Sequence, residues 1–111
     1  MTFEDQMDEG VTAVALGDLE KAVGHFQSAA QIDPAQFDAW HSLGLAFMKL
    51  GRLASAIEAG KKAVGLAPEN QMGHVSLSIM YQKNGQIPEA EAEATRAKIL
   101  SWGGKLDSSQ A

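Results

Sequence analysis

The stretch FDAWHSLGLAFMKLGRLASAIEAGKKAVGLAPEN, residues 37–70, decides the fold, because the chain on either side of it is a variation on it. Slid by 34 residues, it brings Gly10, Gly44 and Ser78 into register, and then Gly17, Gly51 and Gly85. Alanines coincide as Ala22, Ala56 and Ala90, and again as Ala29, Ala63 and Ala97. Pro34 and Pro68 close the first two units, and Trp102 stands where a third proline would fall. A period of this length is the signature of a helical repeat array, in which each unit is one supersecondary element stacked on the next.

Each unit divides into two helices around a glycine turn. In the second unit a helix is expected over 34–50, with Asp33 as N-cap and Pro34 in its first turn, where the missing N–H costs nothing. Gly51 makes the corner, since glycine takes a positive φ without a Cβ penalty. A second helix follows over 53–66 and stops before Pro68. The same parse gives helices over 3–16 and 19–32 in the first unit, and 70–84 and 87–100 in the third. Pro88 is tolerated there because it lies in a first helical turn.

Composition excludes several function classes. The 111 residues make one domain. The absence of cysteine removes disulfides, thiol catalysis and zinc–thiolate sites. Residues 1–10 hold Glu4, Asp5, Asp8 and Glu9 and no apolar core, unlike a secretory signal, and no apolar run is long enough for a membrane span. A soluble, cytoplasmic protein is the expectation. The net charge of −5 is concentrated at the front, where residues 1–36 set seven acids against Lys21 alone. Such a front repels phosphate and no basic stripe offsets it, so neither nucleic acid nor membrane is expected as a partner. The acidic stretch reads as a solvated face, with an electrostatic docking face as the lesser alternative.

Trp40, Leu43, Gly44, Phe47, Ala56, Ala63 and Pro68 stand in the order and spacing of the tetratricopeptide-repeat pattern, and the chain resembles that family over residues 3–102. The first repeat keeps Gly10, Ala22, Phe26, Ala29 and Pro34, but has Gln6, Glu9 and Ala13 where the family prefers Trp, Leu and Tyr. The third keeps Leu77, Ser78, Tyr81, Ala90 and Ala97, with His74, Ala94 and Trp102 as departures. The resemblance implies an all-α, right-handed superhelical solenoid of three helix-turn-helix repeats, about 3–36, 37–70 and 71–102, forming one domain over 1–102. Residues 103–111 are expected to form a flexible polar tail.

The signature residues are packing residues. Gly44 and Ala56 are placed where two helices cross, and Trp40, Leu43 and Phe47 lie at helical spacing on one face and fill the space between helices. An aromatic site built from Trp40, Phe47 and Tyr81 is the less favoured reading. Gln6 and Glu9 are expected to face water, the first repeat being read as a terminal one with no unit to cover it, and terminal repeats of solenoids are atypical in this way. Trp102 either folds back as a lid on the last helix or belongs to an interaction surface.

No phosphate loop, nucleophile elbow or supported carboxylate pair occurs, so no enzyme activity and no cofactor are expected. His41 and His74, on the first helices of adjacent repeats, could approach each other, but without acidic companions they make a poor metal site. His25 lies on a second helix.

In the resembling family the first helices line a concave groove that holds partner segments. Helical phase then puts Met7, Val11 and Val14 in the groove from the first repeat, and His41, Leu45 and Met48 from the second. The third contributes Met72, Val75 and Ile79. Lys49, Gln82 and Lys83 lie toward one rim, and Glu4 and Asp38 toward the other. Apolar residues hold most of the places where carboxylate-clamping members carry Lys, Asn and Arg. A protein partner offering an apolar peptide or amphipathic helix is therefore expected. Two alternatives remain: a homo-oligomer stacked through the last helix, and an accessory protein of a larger assembly such as a cytoskeletal filament, as with bacterial kinesin-light-chain-like proteins.

Overall fold

The computed structural model describes residues 1–106 and contains six helices joined by short turns. They are α1 (Phe3–Ala15), α2 (Leu19–Ile32), α3 (Phe37–Lys49), α4 (Leu53–Leu66), α5 (Gln71–Lys83) and α6 (Ile87–Ser101). Each helix packs on the next in chain order, and α3 also touches α5, which is the connectivity of a helical repeat solenoid. Among the described residues there is no strand. The expected tail over 103–111 is described only as far as residue 106; positions 107–111 lie outside the described residues.

Helix ends follow from local chemistry. Thr2 caps α1 reciprocally with Asp5: its Oγ1 accepts from Asp5 N at 3.1 Å, while Asp5 Oδ2 accepts from Thr2 N at 3.1 Å. Asp18 caps α2 and Asn70 caps α5. At the turn inside each repeat, Gly17, Gly51 and Gly85 take φ of 79°, 79° and 77°, where any other L-residue is strained. The expected start of α3 at Pro34 is corrected. That helix begins at Phe37, because Asp33 ends α2 and closes a local turn instead, accepting from Ala35 N at 3.2 Å and Gln36 Nε2 at 3.0 Å.

The crossings inside the repeats are as close as the small residues imply. A Cβ on Gly10 would stand 2.4 Å from the Phe26 ring, and one on Gly44 would stand 3.3 Å from the Ala56 carbonyl oxygen. The second repeat solves its crossing differently from the first. The position of Phe26 is taken there by Gly60, and Met80, fully buried, fills the vacancy from the next repeat, its Sδ 2.9 Å from where a Gly60 Cβ would be. The second repeat is thus completed by its successor, whereas the first is completed from within.

At the front, Glu9 is exposed as expected, but Gln6 is half-buried and accepts from His25 Nδ1 at 2.8 Å, so it joins α1 to α2. At the other end the lid reading of Trp102 is corrected. The residue is 73% exposed, with Lys98 Nζ 5.8 Å from its ring, and Gly103 turns the chain beyond it at φ 76°. The outward face of α6 carries exposed Glu91 and Lys98 where α4 has Ile57 and Val64 one period earlier. Ile87 and Trp102 are also exposed, at the two ends of this helix.

Candidate protein-binding groove

The first helices of the repeats, α1, α3 and α5, bring several expected groove residues to one surface. Val11 and Val14 of α1 face Leu45 and Lys49 of α3 across a cavity of about 180 Å³, with Ser42, Ala46 and the edge of Phe26 completing its wall. Val11 is 58% exposed, so the cavity opens to solvent and ends in an apolar rim. The Lys49 ammonium has no carboxylate partner among the described residues.

The surface continues toward α5. Leu45 and Met48 pack against the cluster of Leu77 and Met80. Met72 is 57% and Ile79 39% exposed, while Val75 is half-buried between them along the helix. Gln82 and Lys83 are exposed at the C-terminal end of α5. Lys83 repeats the position of Lys49 one period later, so both lysines also complement the negative ends of their helices.

Met7 and His41 serve the scaffold more than the surface. Met7 packs with Phe3 and Trp40 against Ala29, Ala30 and Ala39, at the join of the first two repeats. His41 stacks on Phe37, ring centroids 5.0 Å apart and planes within 17°, and its Nε2 shares a 2.7 Å hydrogen bond with Ser76 Oγ of α5. Burial lowers its pKa from the ordinary value, and Asp38 partly opposes that.

His41 and His74 do not meet. His74 is buried at 1% exposure and bonds Glu93 Oε2 through Nδ1 and the Pro68 carbonyl through Nε2, both at 2.6 Å. No group of three His, Cys, Asp or Glu side chains able to hold a metal occurs among the described residues. None of their helices is long and apolar enough to cross a membrane.

One feature escapes helical phase. On the opposite side of α3 an open trough of about 710 Å³ runs between α2 and α4, floored by Trp40, Leu43 and Phe47. Those residues fit the core pattern so well that nothing in the sequence marks their outer edge as accessible. The signal that was available is small: Ala59 leaves the wall of α4 without a large side chain at that point.

Comparison with known proteins agrees with this architecture. The family model described as Tetratricopeptide repeat matches residues 7–71. Superkiller protein 3 of Schizosaccharomyces pombe is 39% identical over 96 residues, covering 82% of this chain but 7% of its own length. An uncharacterized protein of Methanocaldococcus jannaschii is 38% identical over 66 residues, covering 60% of this chain and 74% of its own. Among solved structures, MamA of AMB-1 superposes with a TM-score of 0.86 at 28% identity, over 95% of this chain and 57% of its own. The chain thus spans a small part of the superkiller protein and little more than half of MamA.

Proposed function

The chain belongs to the tetratricopeptide-repeat family, and on that premise we propose that it is a non-enzymatic adaptor whose concave groove holds an apolar or amphipathic segment of a partner protein. The cavity between Val11, Val14 and Leu45 carries this reading: it is apolar, open to solvent and sized for one large aliphatic side chain. Seating a leucine there contributes roughly 1.5–3 kcal/mol, and the exposed Met72 and Ile79 extend the contact along α5. Methionines at 48 and 72 can repack around segments of different shape. Lys49 and Lys83 favour a segment with acids along that edge.

The reading is tested by capturing partners from the native host with the wild-type chain and with Leu45→Glu and Ile79→Glu. A charge pressed against an apolar face without a partner costs several kcal/mol. Both substitutions should therefore release the captured protein while circular dichroism remains that of the wild type. Retention by both folded variants would sink the proposal.

Stacking of copies through the last helix has less support. An incoming α1 would present Glu9 and Thr12 where α5 presents Leu77 and Met80 in an internal joint, one and two periods having the same register. It would meet Glu91 and Lys98 on α6. Charged side chains would thus stand where the internal joint is apolar.

A further inference from the structure

The trough between α2 and α4 has a counterpart one period later, and the two are finished differently. In the third repeat the space over α5 is filled from within: Glu93 reaches in from α6, bonds His74 at 2.6 Å and accepts from Arg96 Nη1 at 2.7 Å. Both His74 and Glu93 are buried as a result. In the second repeat the corresponding positions are Trp40, Ala59 and Lys62. Alanine supplies no side chain to enter the space, and it stands in the wall of an open trough of about 710 Å³. The cation is still present, since Lys62 Nζ lies 5.7 Å from the centre of the Trp40 ring. It has no carboxylate within ion-pair distance among the described residues.

We propose that this trough is a second binding site, separate from the concave groove. It takes an acidic side chain carried by an apolar segment of a partner protein, with the carboxylate on Lys62 and the stem on Trp40. The incoming carboxylate occupies the place that Glu93 fills for itself in the third repeat. Leu43 and Phe47 floor the trough for neighbouring apolar side chains, and Gln27 and Gln31 of α2 can bond the segment's backbone. Glu58 lies one helical turn before Lys62 on the same wall, so it repels a second acid there and sets which way the segment runs. The Lys62–Trp40 pair offers the acid a charge partner and an aromatic face for its stem together, which an isolated surface lysine does not.

The probe is the blocked peptide acetyl-Leu-Leu-Glu-Leu-Leu-amide, with its Lys-for-Glu counterpart as control, titrated into the 15N-labelled chain. The acidic peptide should shift the amides of Ala59 and Lys62 and the indole N–H of Trp40, at a concentration at least tenfold below that needed by the basic one. Lys62→Glu, an exposed substitution, should reverse that preference. Ala59→Glu should abolish binding by setting its own carboxylate beside Lys62, as Glu93 stands beside Arg96, and Leu45→Glu in the groove should leave it unchanged. Equal shifts from both peptides, no shifts at millimolar peptide, or shifts confined to Val11, Val14 and Leu45 would each overturn the proposal. The Leu45→Glu arm separates this outcome from failure of the groove reading.

Discussion

His74 donates through Nε2 to the Pro68 carbonyl at 2.6 Å, repeating one period later the 2.9 Å bond from Trp40 Nε1 to the Pro34 carbonyl. Two different rings thus tie the first helix of a repeat to the proline turn before it. What differs is the far side of the ring. Trp40 presents a carbon edge to Ala59, whereas His74 presents Nδ1 and must be answered by Glu93.

Removing that answer should be costly. Glu93→Ala leaves the buried Nδ1 of His74 without its hydrogen-bond partner, and an unsatisfied buried polar group costs about 1–3 kcal/mol. The double substitution His74→Trp, Glu93→Ala installs the second repeat's own pair and should recover most of that loss. Urea unfolding of the three variants measures it. If the double variant is as unstable as the sum of the single ones, the two repeats are not interchangeable at this position.

His41 makes stability depend on pH. Its pKa is lowered by burial, so the folded chain resists a proton that the unfolded chain accepts near pH 6.5. The unfolded state then binds more protons, and stability falls as pH drops from 7 through 6.5 toward the lowered value. Above pH 7 the contribution is fully present. His41→Gln keeps a partner for Ser76 but does not titrate, so the fall between pH 7 and 5 should flatten in that variant relative to wild type. Equal slopes in thermal melts across this range would show that His41 is solvated in the folded chain.

Trp102 is expected to be dispensable for folding. It is largely exposed with Lys98 over its ring, and exposed contacts of that kind are worth under about 1 kcal/mol. Trp102→Ala should leave the melting temperature within a few degrees of wild type. It should also remove the red-shifted part of the tryptophan emission, leaving that of the half-buried Trp40. A large loss of stability would restore the capping role that its position at the end of α6 suggested.

How much the sequence disclosed depended on whether a position recurs. Recurrence placed Gly17, Gly51 and Gly85 at the turns, and the small residues Gly44 and Ala56 at a crossing, because the same geometric demand returns every 34 residues. Positions that break the period carried less information. Gly60, Ala59 and His74 each depart from their counterparts, and each departure is resolved by a side chain from elsewhere, or in the trough by none. Helical phase found the Val11, Val14 and Leu45 surface, since it asks only which way a side chain leaves its helix. It could not tell that Met7 is consumed in the joint between repeats, which depends on the neighbour's shape. Pro34 misled for a local reason: a proline after Asp33 suits a helix start and a turn equally, and the aspartate's bonds to Ala35 and Gln36 decide for the turn.

Met80 carries the joint between the second and third repeats, and Gly60 is the position to test it from. Met80→Ala empties the space beside Gly44 and Gly60, and deleting a fully buried methionine costs about 2–5 kcal/mol. Gly60→Leu alone forces a side chain into the volume that Met80 and Leu77 hold, an overpacking of about 1–3 kcal/mol that outweighs the gain in helix propensity of up to about 1 kcal/mol. Combined, the two changes return the second repeat toward the arrangement of the first, where Phe26 of its own second helix fills the crossing at Gly10. The double variant should therefore be more stable than the sum of the single effects by about 1–3 kcal/mol, the coupling expected of residues that share one space. A double-mutant cycle by chemical unfolding measures that term. Additive effects would mean that Met80 and Gly60 do not compete for the same volume, and that the repeats close their crossings independently.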